Sequence, residues 1–180
     1  MNSTRARLSF AILVLLTLGG AVGCASTPRG APPQDFAARF AGPIERAHGM
    51  DRWRAAEAVR TELTVVFGGK QSLAGTLLFE TKGARSRIDT VDGATLVFDG
   101  AEAWVTPADA AVPRARFHLL TWPYFLAAPM KLRDPGTTLT DRGAMLMGGE
   151  RLPAATLTFG AGVGDTPDDW YVAYRDPTTG

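Results

Sequence analysis

The sequence predicts a mainly β, α+β domain: a curved antiparallel sheet or incomplete β-barrel covered by N-terminal helices. Three observations carry this expectation. From Arg60 to Thr106 apolar residues recur with a period of two, as in half-buried strands. Gly68-Gly69, Asp92-Gly93 and Asp99-Gly100 interrupt that stretch at hairpin spacing. Ahead of it, Phe36, Phe40, Ile44 and Ala47 recur every three or four positions, the period of one helical face.

Taken in order, Asp35 is placed to cap that helix, and Pro43 is expected to kink it or end it early. Gly49 suits the position after a helix, and Asp51 a cap for a second short helix over Arg52–Val59 that carries Trp53. Leu63, Val65 and Phe67 then alternate with Thr64 and Val66, and Gly68-Gly69-Lys70 turns the chain into Ser72–Glu80, where Leu73, Gly75, Leu77 and Phe79 share one face. Strands are expected at Ser86–Thr90, Thr95–Phe98 and Glu102–Thr106, making an antiparallel meander.

The aromatic-rich segment Arg116–Lys131 contains Pro123 and Pro129. Proline lacks an amide hydrogen and disfavours helix at the residue before it, so a short helix broken by a turn is expected. Strand patterns return at Met145–Met147, Ala154–Phe159 and Trp170–Tyr174. Asp176-Pro177 then reads as a turn with no partner strand after it, so the sheet is expected to be C-terminally incomplete. No repeat recurs at a fixed period.

The N-terminus has the parts of an export signal. Arg5 and Arg7 precede an apolar run, Leu8–Leu18, and residues 19–23 are small. The run is too short for a permanent span, which needs about 20 apolar residues. Cys24, the only cysteine, follows Ala21-Val22-Gly23 directly. This resembles the bacterial lipobox, with Ala21 where Leu is commoner. The resemblance implies a signal peptide over residues 1–23, acylation of Cys24 and a membrane anchor. Ala25 after the cysteine implies, in the lipoprotein sorting pattern, the outer membrane, with the domain facing the periplasm. Residues 24–34 are small, polar and Pro-rich and read as a linker, leaving residues 35–180 as one domain.

Removing the signal takes two arginines and no acid. The balance moves from 19 Lys+Arg against 18 Asp+Glu to 17 against 18, which excludes a nucleic-acid binder by charge. With Cys24 acylated no disulfide can form, so stability must come from packing and hydrogen bonds.

The helix ahead of His48-Gly49 and Trp53, followed by a meander containing Val97-Phe98-Asp99-Gly100 and Ala103-Trp104, resembles the LolA/LolB-like superfamily of periplasmic lipoprotein carriers and their relatives. The resemblance spans residues 35–180. It implies an incomplete barrel whose hydrophobic cavity accepts acyl chains or another lipid, with helices over the mouth. Phe40, Phe67, Phe79, Phe98 and Trp104, with Phe36, are the aromatics that could line such a cavity, and they could equally fill a core. Trp122 and Tyr124 either pack as extra core or form a flap meeting ligand.

Chemical motifs point away from catalysis. HExxH, GxSxG, a phosphate-binding GxxxxGK[ST] and CxxC are all absent from the sequence. His48 and His118 lack a neighbouring Asp, Glu or His at ligand spacing and read as helix-end or half-buried residues. Asp165, Asp168 and Asp169 lack the glycine and glutamate of a calcium loop and read as a solvated loop. No enzyme, cofactor or metal is therefore expected. The expected function is binding of a lipid or acylated ligand, with a solid-core structural or interaction module of the envelope as the alternative. The oligomeric state is left open.

Overall fold

A computed structural model describes residues 33–180 other than 164 and 167, with side chains from Phe36 onward. The expected signal peptide, Cys24 and most of the linker lie outside the described residues. The domain is mainly β with helices, as expected, but its strands form two antiparallel sheets. The first is a meander in the order β1-β2-β3-β4-β5: β1 Ala58–Phe67, β2 Lys70–Glu80, β3 Ser86–Thr90, β4 Thr95–Phe98 and β5 Ala103–Thr106. The second is β6 Thr137–Met147, β7 Glu150–Phe159 and β8 Trp170–Tyr174. Helices α1 (Pro33–Ala47) and α2 (Met50–Ala55) precede the meander, and α3 (Ala115–Lys131) connects the two sheets.

Each sheet opens with a long hairpin turned by two glycines. Gly68 and Gly69 have φ of 58° and 77°, and Gly148 and Gly149 have 60° and 91°. Two successive left-handed residues match the right-handed twist of the flanking strands, and glycine adopts them without a Cβ penalty. The first hairpin shifts register between Val65 and Val66, and β3 pairs with β2 only from Gly75 to Phe79. The tip therefore overhangs the sheet. Phe67, expected on the inner face with Leu63 and Val65, is instead 84% exposed there.

The inner face of the first sheet packs as its period predicts. Leu73, Leu77 and Phe79 of β2 join Ile88, Leu96 and Phe98, and Leu119 and Ala127 of α3 close over them. The second core holds Phe40, Ala41 and Ile44 of α1 against Leu139, Ala155 and Leu157 of the second sheet. The division of labour thus differs from expectation. The long N-terminal helix covers the second sheet, and the helix between the sheets covers the first. Helix α1 also begins at Pro33, earlier than a cap at Asp35 allows, because proline's fixed φ and missing donor suit a first helical turn. It continues through Pro43 to Ala47, since Ile44 and its neighbours are buried against the sheet.

Helix α3 is likewise one continuous helix, where a break was expected. Proline at 123 cannot donate to the carbonyl of Leu119, four residues back. The hydroxyl of buried Ser86, on β3, donates to that carbonyl instead, at 2.6 Å. The strand thereby supplies the hydrogen bond that the helix lacks. The opposite side of α3 places Tyr124 and Phe125 against Phe159 and Tyr171 of the second sheet, with ring centroids 5.8–6.4 Å apart. The helix is apolar nearly all round because it has a sheet on two sides.

Two stability predictions follow from these contacts. A Cβ on Gly75 would lie 2.2 Å from the Asp89 carbonyl oxygen and 2.8 Å from Thr90 Cα, both backbone atoms of the paired strand. Gly75→Ala should therefore cost about 1–3 kcal/mol, the range of core overpacking, in denaturant unfolding. Unchanged stability would show that β2 and β3 can separate freely. Ser86→Ala should cost about 1–3 kcal/mol by leaving the Leu119 carbonyl buried without a partner. Adding Pro123→Ala should recover part of that loss by restoring the helix donor, so additive losses in the double variant would refute this account.

Candidate functional site

A concave surface lies at the corner between α1 and α2. At the end of α1 the His48 amide donates to the Ile44 carbonyl at 3.0 Å, and His48 Nδ1 lies 2.8 Å from the same oxygen. Gly49 then takes a left-handed φ of 78°, reversing the chain so that the Trp53 amide donates to the Gly49 carbonyl at 3.0 Å and opens α2. The far end of α2 is fastened to the first sheet by Thr81, a buried residue after β2. Its hydroxyl donates to the Ala56 carbonyl at 2.6 Å, and its amide to that of Glu57 at 3.0 Å. Trp53 rests on Phe79 with ring centroids 6.0 Å apart.

Two adjoining open grooves result. The larger, of about 720 Å³, has Ala47, Trp53, Ala56, Val59 and Met130 among its apolar lining and Arg46, His48, Asp51 and Arg52 among its polar lining. The smaller, of about 360 Å³, shares Met50, Trp53 and Met130 and adds Glu45, Arg54, Arg133 and Asp134. An ion pair sets this second wall. Glu45, almost fully buried on α1, accepts from Arg133 Nε at 2.6 Å and from Nη2 of the same guanidinium. It joins α1 to the segment just after α3. Beside it, Lys131 pairs with Asp134 at 2.6 Å.

None of the eight aromatics expected to line a cavity or its flap borders either groove, and Phe36 packs against the second core. Phe79 and Phe98 lie in the first core and Phe40 in the second. Phe67 stands at the overhanging hairpin tip, and Trp104 is 45% exposed on the edge strand β5. Trp122 is half-buried against the first core, and its indole N–H donates to His118 Nδ1 at 2.8 Å. Tyr124 sits in the ring cluster between α3 and the second sheet, and burial pushes its phenol above the usual range. Its hydroxyl is buried with no protein hydrogen bond among the described residues. Of the groove residues, His48, Gly49, Asp51 and Trp53 stood out in the sequence. Met50, Val59, Met130 and the arginines did not, because α2 and the end of α3 are brought together only by the folded chain.

Two acids of the loop have partners. Asp165 forms a two-armed ion pair with Arg116, at 2.6 and 2.8 Å, and Asp169 accepts from Thr166 Oγ1 at 2.7 Å. Among the described residues no group of three or more His, Cys, Asp or Glu side chains is placed to hold a metal, and no helix is long and apolar enough to cross a membrane. No protein-family model, curated protein or solved structure matches the chain.

The His118–Trp122 contact has a pH signature. Burial, and then the charge of Arg114, hold His118 below its ordinary value of 6.5. The neutral ring accepts the indole N–H, and protonation would remove that acceptor. A cationic group with a depressed folded-state pKa binds its proton more tightly when unfolded, so its contribution is complete above about 6.5 and is lost as pH falls through the lower folded value. Thermal unfolding should therefore show the parent losing more stability than His118→Gln between about pH 7 and about pH 5. Parallel pH profiles would remove His118 as the cause.

Proposed function

We propose that the protein is an outer-membrane lipoprotein that binds a lipid or acylated ligand by burial against apolar surface, with no covalent chemistry and no cofactor. It is exported, cut before Cys24 and held by acyl chains on that cysteine, with its domain facing the periplasm. Support for the anchor comes from the sequence around Cys24. Eight residues lie between Cys24 and the start of α1 at Pro33, a reach of at most about 30 Å when extended. In this reading the two sheets are the walls of an incomplete barrel of the lipoprotein-carrier kind, and the α1–α2 corner stands at its mouth.

The observation that supports binding is the larger groove, whose apolar wall of Trp53, Val59 and Met130 is open to solvent and held in place from both ends of α2. A second reading has its own support. Phe40, Phe79 and Phe98 are packed into filled cores, which favours a solid interaction module of the envelope.

Two measurements test the proposal. Metabolic labelling with a fatty acid should mark the parent and leave Cys24→Ser unlabelled and released from membranes, since two or more acyl chains outweigh any surface attraction of a nearly neutral domain. Equal labelling of both proteins would end the anchor reading. In the purified full chain, a fatty acid brominated along its chain should quench tryptophan emission saturably, and Trp53→Phe should remove the saturable part. Quenching that stays proportional to the added bromine would favour the solid module.

A further inference from the structure

The larger groove is lopsided in charge as well as open. Arg46, in the last turn of α1, and Arg52, on α2, are both exposed and both line it. Neither has an ion-pair partner among the described residues, as is also true of Arg54 and Arg142. Asp51 is the only acid on the groove's wall. With Asp51 counted, the two arginines leave one positive charge in excess on this wall. His48 spends Nδ1 on the Ile44 carbonyl, and its Nε2 has no partner among the described residues. Cations at the end of α1 are partly accounted for by the helix dipole. The dipole does not account for an apolar wall of Trp53, Val59 and Met130 directly beside them.

Resting on the binding reading above, we propose that the larger groove takes an anionic amphiphile, with its carboxylate or phosphate head between Arg46 and Arg52 and its acyl chain along Trp53, Val59 and Met130. The guanidinium fork suits both anions, because each presents paired oxygens that two N–H groups can meet together. The apolar wall supplies burial without direction, and the arginines supply orientation. A free anion would use only half of this site, and a neutral lipid only the other half.

The test uses the purified full chain and two photoreactive probes, a diazirine-bearing fatty acid and its methyl ester, with crosslinks mapped by mass spectrometry. The acid should label the peptides holding Trp53 and Met130 saturably, and oleate should compete. Arg46→Gln with Arg52→Gln should weaken the acid about tenfold while leaving the ester's weaker labelling unchanged. Both arginines are exposed, so the substitutions should leave the fold intact, with circular dichroism as the check. The parent's preference for the acid should also shrink as salt screens the charges. If acid and ester bind alike in parent and variant, acyl binding stands and the anionic head falls. Without saturable groove labelling by either probe, the binding reading falls and takes this inference with it. Displacement of the acid by inorganic phosphate at the concentration at which oleate acts would make this a free-anion site and overturn the amphiphile.

Discussion

The structure depends on one helix with no polar side. Helix α3 joins the two sheets in sequence and in space, giving Leu119 and Ala127 to the first core and Tyr124 and Phe125 to the rings on the second sheet. A connection of this kind has to bury backbone as well as side chains, so every carbonyl that loses its helix donor needs another. Pro123 creates one such carbonyl, and Ser86 answers it from β3. A sheet residue thus completes a helix. Near the helix start, Arg116 adds a polar tie, donating to the Ala101 carbonyl at 2.8 Å and pairing with Asp165 ahead of β8.

The α1–α2 corner follows from the same arrangement. With α3 occupying the space between the sheets, α1 is free to cover the second sheet and α2 to sit at the edge of the first. Glu45 and Arg133 hold one side of the corner, and Thr81 holds the other. Trp53 lies between, with Phe79 of the first core behind it and Met130 of α3 on the groove wall. The groove is the space that remains where three elements meet without interdigitating. Trp53 and the far end of α2 are fixed by contacts lying outside it.

Much of the first sheet was legible in the sequence. Ser86–Thr90 and Thr95–Phe98 form strands over those very residues, and the face shared by Leu73, Leu77 and Phe79 is buried as the period of two requires. Gly49 takes the left-handed conformation expected after a helix, and Gly93 and Gly100 have positive φ at the two Asp-Gly turns. These features are local: a turn residue and an alternating pattern specify them before any distant contact forms. Phe67 shows where that reasoning ends. The pairing with β2 shifts register just before it and β3 stops short of it, so the ring stays exposed.

The sequence by itself determined the class of the fold, the meander and its turns, the amphipathic first helix and the export-like segment ending at Cys24. Each is written in spacing and composition over a few neighbouring residues. Only the tertiary structure decided that the strands divide into two sheets, that Pro123 stands inside a continuous helix, and that Phe40, Phe79 and Phe98 fill cores while Arg46, Arg52, Trp53 and Met130 share a groove. The reason is physical in each case. A proline's cost depends on whether a distant hydroxyl can replace its missing bond, and an aromatic's role depends on what stands opposite it. Neither partner can be read from residues adjacent in the chain.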